Sequence, residues 1–303
     1  IQSDVKSGII IDMFTVLTQV DSIECALRFK ALRSITNHVS NITFFSPELL
    51  VDTLLHSVQS SKLSKDYEEC LTFLMDILTK SFTSLPSHTV TQVIEFVARL
   101  LMNPRVNTQL IFKSLNIYEC IVNHGGIPPD HSMVTFCSAM CQTVNYDTTN
   151  KSLEVMNRVL LESHYKQRAF QSLIDIMNHS QVHSLYRGSI FFVTMATWGK
   201  HKSDVYRDAF STVLYAMLKT MSCNVELVSY EISLSIGRLI KTFAKELRME
   251  WDVIIEILMK MDVYLQLTSS SSLKQSLQNT LLIMNELYKS GDYFGNDEDY
   301  IKL

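Results

Sequence analysis

Residues 186–199 read Tyr-Arg-Gly-Ser-Ile-Phe-Phe-Val-Thr-Met-Ala-Thr-Trp-Gly, and this segment is apolar on almost every side when it is drawn as a helix. A helix that is hydrophobic all round is typical of the inside of a stack of helices rather than of its surface. We therefore predict a helix over 183–199 that is sandwiched between neighbouring helices, with Gly199 as its C-cap.

Apolar residues recur at helical spacing on both sides of this segment. Ile232, Ile236, Leu239 and Phe243 advance by four, three and four residues, which keeps them on one side of a helix. The same spacing is found in two further sets, which are Trp251, Ile254, Leu258, Met261 and Leu265, and Leu273, Leu277, Leu281, Met284 and Leu287. No segment shows the alternation that is typical of strands, so the sequence predicts an all-α protein.

The helical pattern extends along the whole chain. We predict helices near 6–20, 22–39, 47–59, 65–82, 86–102, 104–123, 130–143, 149–162, 165–179, 183–199, 203–221, 224–244, 247–266 and 270–289. Capping signals support two of the starts, Ser46-Pro47-Glu48 and Asn103-Pro104. These helices make about seven pairs of about 40 residues, which is the period of HEAT-type repeats. An amphipathic pair of this size buries its apolar side by stacking on its neighbours, so we predict a right-handed α-solenoid.

Composition agrees with a helical array and argues against several classes of protein. Apolar residues make up 47% of the chain, and only eight Gly and five Pro occur among 303 residues, so tight turns are rare. The net charge of −4 and the lack of a long basic run argue against a nucleic-acid partner. No apolar run reaches the ~20 residues that span a bilayer, so membrane contact is expected to be peripheral at most.

We expect one domain. The prediction is a single α-solenoid over 1–303, a fragment of a longer chain without a secretory signal, because the sequence opens at Ile1 with no charged leader. The acidic stretch within 291–303 is predicted to be a frayed tail. The hydroxyl-rich loop 268–272 is predicted to cap the helix that follows it.

No pattern of catalytic or ligand-binding residues is present. The six cysteines, Cys25, Cys70, Cys120, Cys137, Cys141 and Cys223, include no CxxC pair, and most lie in apolar helical patterns. Reduced, buried thiols are the favoured interpretation. Cys137 and Cys141, four residues apart and near His124 and His131, leave a zinc site as a disfavoured alternative. No nucleophile with its base, Walker loop or kinase signature can be traced, so we predict no catalytic residue, cofactor or metal, and no enzyme activity.

A basic stripe, formed by Arg238, Lys241 and Lys245, is the one candidate binding surface. These side chains are predicted to project from the side of their helix opposite Ile232, Ile236, Leu239 and Phe243. A solvated helix face explains them, since cations are favoured near a helix C-terminus by ~0.3–1 kcal/mol each. The alternative is a rim that contacts an acidic partner helix and orients it.

The order of several short motifs resembles the amino-terminal helical-repeat region of the tuberin family. The resemblance is densest over 186–258, where the segment quoted above is followed by Val228-Ser229-Tyr230-Glu231-Ile232 and Trp251-Asp252-Val253-Ile254. It continues in Val20-Asp21-Ser22, Arg28-Phe29-Lys30-Ala31-Leu32, residues 130–144 and Glu286-Leu287-Tyr288-Lys289. Residues 145–183 and the serine-rich loop match only loosely.

The resemblance implies a function that the residues alone do not. In the tuberin family this region is a non-catalytic scaffold that binds the coiled coil of hamartin, and the whole protein inactivates the GTPase Rheb and so restrains TOR signalling. The catalytic GTPase-activating domain lies far downstream and has no counterpart here, so Rheb would be reached only through that domain. A cytoplasmic protein, recruited to the lysosomal surface with the full complex, is implied. The amino-terminal solenoid of a Ral-directed GTPase-activating subunit, or a karyopherin-like adaptor, are the alternatives.

Overall fold

The chain folds into two compact units, Ile1–Ser132 and Met133–Leu303. The computed structural model describes residues 2–19, 24–38, 46–59, 61–126, 128, 130–145, 147–162, 164–199, 202–244 and 250–302. Over these residues every regular element is a helix, and no strand is found, as the sequence predicts. The single solenoid domain over 1–303 stays a prediction.

The first unit is two layers of helices. Its helices are α1 (Gln2–Gln19), α2 (Cys25–His38), α3 (Pro47–Gln59), α4 (Ser64–Ser81), α5 (Ser87–Leu101) and α6 (Thr108–Asn123). α4 lies between α2 and α6 in one layer, while α3 and α5 pack side by side in the other. Hydrogen bonds from Asn107 Nδ2 to Ser64 Oγ, 3.0 Å, and from Lys113 Nζ to Thr72 Oγ1, 2.7 Å, follow the same order along α6 and α4, so these two helices run parallel.

The second unit repeats this arrangement. Its helices are α7 (Met133–Gln142), α8 (Thr149–Asn157), α9 (Lys166–His179), α10 (His183–Thr197), α11 (Phe210–Thr220), α12 (Glu226–Phe243), α13 (Trp251–Leu267), α14 (Ser271–Ser290) and α15 (Asp297–Ile301). α7, α10, α12 and α14 follow one another in one layer, and α9, α11 and α13 in the other. A turn of π-helix, Arg158–Glu162, continues α8, and a 3₁₀ segment, Asp204–Ala209, leads into α11.

One predicted helix start is wrong for a local reason. Asn103 was expected to cap a helix from residue 104, but its Oδ1 accepts from the Arg105 amide in a turn. Asn107 is the true cap of α6, and its Oδ1 accepts from the Leu110 amide at 2.8 Å. Ser46 and Ser270 cap α3 and α14 as predicted, with their hydroxyls accepting from the amides of Leu49 and Leu273.

The predicted frayed tail is instead folded back onto α13 and α14 over its described residues. The Tyr293 ring meets the Trp251 ring edge-on, with the centroids 4.8 Å apart, and the Tyr300 ring stacks on the Tyr288 ring, with the centroids 4.1 Å apart. α15 carries Tyr300 and is capped by Asn296, whose side chain accepts from the Glu298 amide. The stretch holds two tyrosines among its acidic residues, and their ring contacts with Trp251 and Tyr288 keep it in place.

Helix α10 is enclosed as its sequence predicts. It packs on α7, α9 and α12, and Ile190, Phe192 and Val193 are fully buried. At Gly188 an added Cβ would lie 2.4 Å from the Cα of Cys141 on α7, so only glycine permits this approach. The helix ends at Thr197 with Trp198, rather than the predicted Gly199, as its C-cap.

Trp198 joins the two layers of the second unit. Its side chain is 2% exposed, and its indole N–H donates to the carbonyl of Ser235 on α12 at 3.0 Å. On the other side, its ring meets the ring of Phe210 edge-on, with the centroids 5.4 Å apart, and Phe210 belongs to α11. The apolar ring and its polar N–H are therefore both satisfied within the core.

Replacing Trp198 by alanine should lower the free energy of unfolding by ~3–5 kcal/mol, because it removes a fully buried ring and leaves a cavity. Trp198→Phe keeps much of the ring but loses the hydrogen bond, and should cost less. Urea denaturation followed by circular dichroism measures both. A loss below about 1 kcal/mol for the alanine variant would show that Trp198 is not a core residue.

Gly188→Ala should destabilise the chain although alanine is the better helix former by ~1 kcal/mol. The added methyl group would overlap backbone atoms of Cys141, and overpacking of this kind costs ~1–3 kcal/mol. Gly8→Ala is the matched control, because Gly8 lies in α1 with no atom within 4 Å of the added Cβ. Thermal melts should show opposite shifts for the two variants; equal shifts would contradict the close approach of α10 to α7.

Candidate functional site

An open groove runs between the parallel helices α12 and α14. It has a volume of about 370 Å³, and its lining comprises Tyr230, Ser233, Leu234, Gly237, Arg238 and Lys241 on α12, and Ser272, Gln275, Ser276, Asn279, Thr280 and Ile283 on α14. Small side chains form its floor. Ser233 and Ser276 share a hydrogen bond of 2.8 Å, and a Cβ on Gly237 would lie 3.1 Å from Thr280 Oγ1. The two helices are thus close at the floor, and both polar and apolar side chains line the groove.

Two residues of the predicted basic stripe, Arg238 and Lys241, line this groove. Lys241 is exposed, whereas Arg238 is half-buried. Lys245 lies outside the described residues. No carboxylate occurs among the lining side chains, so the groove carries positive charge.

Arg238 does more than the sequence indicates. Its Nη1 approaches the Sδ of Met195 on α10 at 3.8 Å, and its charge acts on the buried carboxyl of Glu231. The sequence analysis predicts that the Arg238 side chain is directed away from the core. This prediction is wrong for Arg238, which spans the contact between α10 and α12. Of the two described residues of the basic stripe, Lys241 is the exposed one.

Glu231 is the residue that sequence reasoning missed. Its side chain is 6% exposed, and Oε2 lies 3.7 Å from the Nε of Arg187 on α10. Oε1 has no hydrogen-bond partner within the described part of the chain. Burial raises the pKa of Glu231, and the charges of Arg238 and Arg187 oppose that rise. A signal was present, because Glu231 lies three residues after Val228 and four before Ser235, and so on the buried side of α12.

The two cysteines of α7 are poor candidates for a reactive or metal site. All six are free thiols, and Cys137 and Cys141 are buried in α7. Burial raises the pKa of Cys137 to about 12, so its thiol stays protonated and is a poor nucleophile or metal ligand. Across the described ranges no cluster of three or more His, Cys, Asp or Glu side chains could hold a metal ion. The described helices also include none that is long and apolar enough to cross a membrane.

Comparison with known proteins places the chain in a structural context. Residues 4–303 match a family described as "Domain of unknown function (DUF3384)". Among solved structures, the chain is similar to one titled "Structure of the TSC2 N-terminus", with a TM-score of 0.76 and 14% sequence identity. That match covers 95% of this chain and 78% of the other. The likeness confirms the predicted tuberin-like helical-repeat fold, and at this identity it shows the fold alone.

Glu231→Gln tests the buried carboxyl. Because its folded pKa is raised above the ordinary 4.5, protonated Glu231 contributes stability at low pH that is lost as the pH rises through the raised value. The stability of the wild type relative to the Gln variant should therefore fall as the pH rises above 4.5. Glu256→Gln, at an exposed ion pair with Lys260 on α13, is the control and should show a nearly constant difference. Urea denaturation at several pH values measures the difference in unfolding free energy between the wild type and each variant. A difference that does not change with pH for Glu231→Gln would contradict the raised pKa.

Proposed function

This chain belongs to the DUF3384 family, and from that premise we propose that it is the non-catalytic helical-repeat scaffold of a tuberin-like GTPase-activating protein. Its partner in this proposal is the coiled coil of hamartin. In the whole protein it would support the inactivation of Rheb by a separate catalytic domain, and thereby the negative regulation of TOR signalling. The site of action would be the cytoplasm and, with the complete complex, the lysosomal surface.

The observation that carries the proposal is the groove between α12 and α14. A groove between parallel helices accepts an amphipathic helix, which is the shape that a coiled-coil partner presents. The small serine, glycine and threonine residues at its floor leave room for a partner side chain to enter. The helical-repeat fold shared with the TSC2 amino-terminal structure supports the same proposal.

Charge favours an acidic helix in this groove. Lys241 is exposed and has no carboxylate among the lining residues, whereas half-buried Arg238 beside it also acts on the carboxyl of Glu231. Such charges at the edge of an interface mainly speed and orient association. Acidic residues along one side of the partner helix would complement them.

A charge reversal at the exposed cation tests the groove. Lys241→Glu should weaken binding of a hamartin coiled-coil segment about tenfold at low salt, mostly through slower association, because a rim charge acts on the encounter of the two proteins. Lys219→Glu makes the same change at an exposed residue of α11, in the other layer, and should leave binding unchanged. Surface plasmon resonance at two salt concentrations measures both rates. Arg238 is unsuitable for reversal because a carboxylate there would face buried Glu231.

Assays with the same proteins also distinguish the proposed function from its alternatives. The chain should not stimulate GTP hydrolysis by Rheb in a single-turnover assay, because phosphoryl transfer needs a positioned catalytic group. Equal hamartin binding by the Lys241 and Lys219 variants would remove the groove from the proposal. Binding to a Ral-directed GTPase-activating partner in place of hamartin, or to transport cargo, would overturn the assignment to the tuberin family.

A further inference from the structure

The first unit contains a concave site that the proposed scaffold function does not use. A cavity of about 710 Å³ opens where the α3–α4 and α5–α6 connections meet. Its lining comprises Gln59, Ser61, Lys62, Ser64, Tyr67, Phe96, Arg99, Leu100, Asn103, Arg105, Val106, Asn107 and Leu110. A volume of this size lies within the range of ~300–1,000 Å³ that is typical of ligand sites.

The rim of this cavity is positively charged. Lys62, Arg99 and Arg105 are exposed, and none of them pairs with a carboxylate among the described residues. The lining includes no Asp or Glu. Asp66, close by in α4, is buried and turned inward, where it accepts hydrogen bonds from the Ala26 amide and the Ser61 hydroxyl. Three cations thus face the opening, and the carboxylate beside it, Asp66, is buried and held by its own hydrogen bonds.

Two helix N-termini lie at this opening. The first turn of α4 begins at Ser64, and no side chain caps it because Leu63 occupies the N-cap position. The start of α6 lies beside it, since Asn107 hydrogen-bonds to Ser64. Asn107 caps α6, and the Asp66 carboxylate lies in the first turn of α4, so the exposed Lys62, Arg99 and Arg105 supply the positive charge of the site.

The floor of the cavity is apolar. Phe96, Leu100 and Leu110 are largely buried, and the ring of Tyr67 lies parallel to that of Phe96 with the centroids 6.3 Å apart. A bound group would therefore meet cations at the rim and hydrocarbon beneath. The cavity suits a ligand that has an anionic end and an apolar body.

We propose that this cavity binds a phosphorylated tyrosine side chain of a partner protein. Arginine forks bind phosphate oxygens in pairs, and Arg99, Arg105 and Lys62 together can balance the nearly double negative charge of a phosphate monoester. The aryl ring that carries the phosphate would lie on the floor formed by Phe96, Leu100 and Leu110. A lipid headgroup carries its phosphates on a polar ring or on glycerol, which gains nothing from that floor, so the structure favours the aryl phosphate.

The inference is independent of hamartin binding. The cavity is built from residues of the first unit, and the α12–α14 groove from residues of the second. A variant of the cavity leaves Lys241 unchanged. Failure of one proposal therefore carries no consequence for the other.

Binding of N-acetyl-phosphotyrosine amide to the full chain, followed by isothermal titration calorimetry, is the test. The double variant Arg99→Gln, Arg105→Gln should bind this probe at least tenfold more weakly, because both guanidinium groups are lost. Its melting temperature should change little, since both side chains are exposed and form no ion pair within the described residues, and only Arg99 loses a favourable place near a helix C-terminus. Lys219→Gln is the control for the loss of a surface cation and should bind like the wild type.

Two further probes test the apolar floor and the source of the phosphate. N-acetyl-phosphoserine amide and inorganic phosphate should bind several-fold more weakly than the phosphotyrosine probe, because neither places a ring on the floor. Equal binding of all three would overturn the assignment to an aryl phosphate. So would binding only to vesicles that contain phosphoinositide, absence of binding at millimolar phosphotyrosine, or an unchanged affinity in the arginine double variant.

Discussion

The approach of α10 to α7 at Gly188 is the contact on which the order of the second unit depends. A side chain at that position would overlap the backbone of Cys141, so the two helices meet through their main chains. The opposite side of α10 then meets α12 through small polar groups, with Thr194 and Ser235 hydroxyls 3.3 Å apart. α12 meets α14 in the same way through Ser233 and Ser276. Each close contact fixes where the next helix can lie, because a packed repeat touches only its neighbours.

A pair of oppositely charged side chains lies at the contact between α10 and α12. Glu231 and Arg187 lie on successive helices of one layer, and their side chains meet only when the two helices are in register. A buried ion pair adds little net stability, because burial of each charge offsets the attraction. An unpaired charge there would be costly, however, so a shifted register is penalised. We interpret the pair as a device that specifies register, with Arg238 as a second source of positive charge.

The helices could be predicted from the sequence because apolar spacing reports directly on which side of a helix is buried. Features that depend on distant residues could not be predicted. The cavity of the first unit combines residues of 59–67 with residues of 96–110, and in sequence each of these stretches contains ordinary connections between helices. The buried state of Glu231 depends on Arg187, which is 44 positions earlier in the sequence. The tyrosine contacts that order α15 likewise join Tyr288 to Tyr300, and the acidic composition of the segment gives no sign of them.

The position of the cavity follows from the way in which the repeats stack. α4 and α6 run parallel, so their N-termini reach the same edge of the layer, and the antiparallel helices α3 and α5 bring their C-termini to that edge as well. Arg99 lies in the last turn of α5, where a cation is favoured by the helix dipole, so its charge is compatible with the local fold. A bound anion at this edge would meet that cation together with Lys62 and Arg105. The edge therefore holds positive side chains at little cost in stability and attracts negative ligands. The buried faces of the helices remain available to pack against the neighbouring helices.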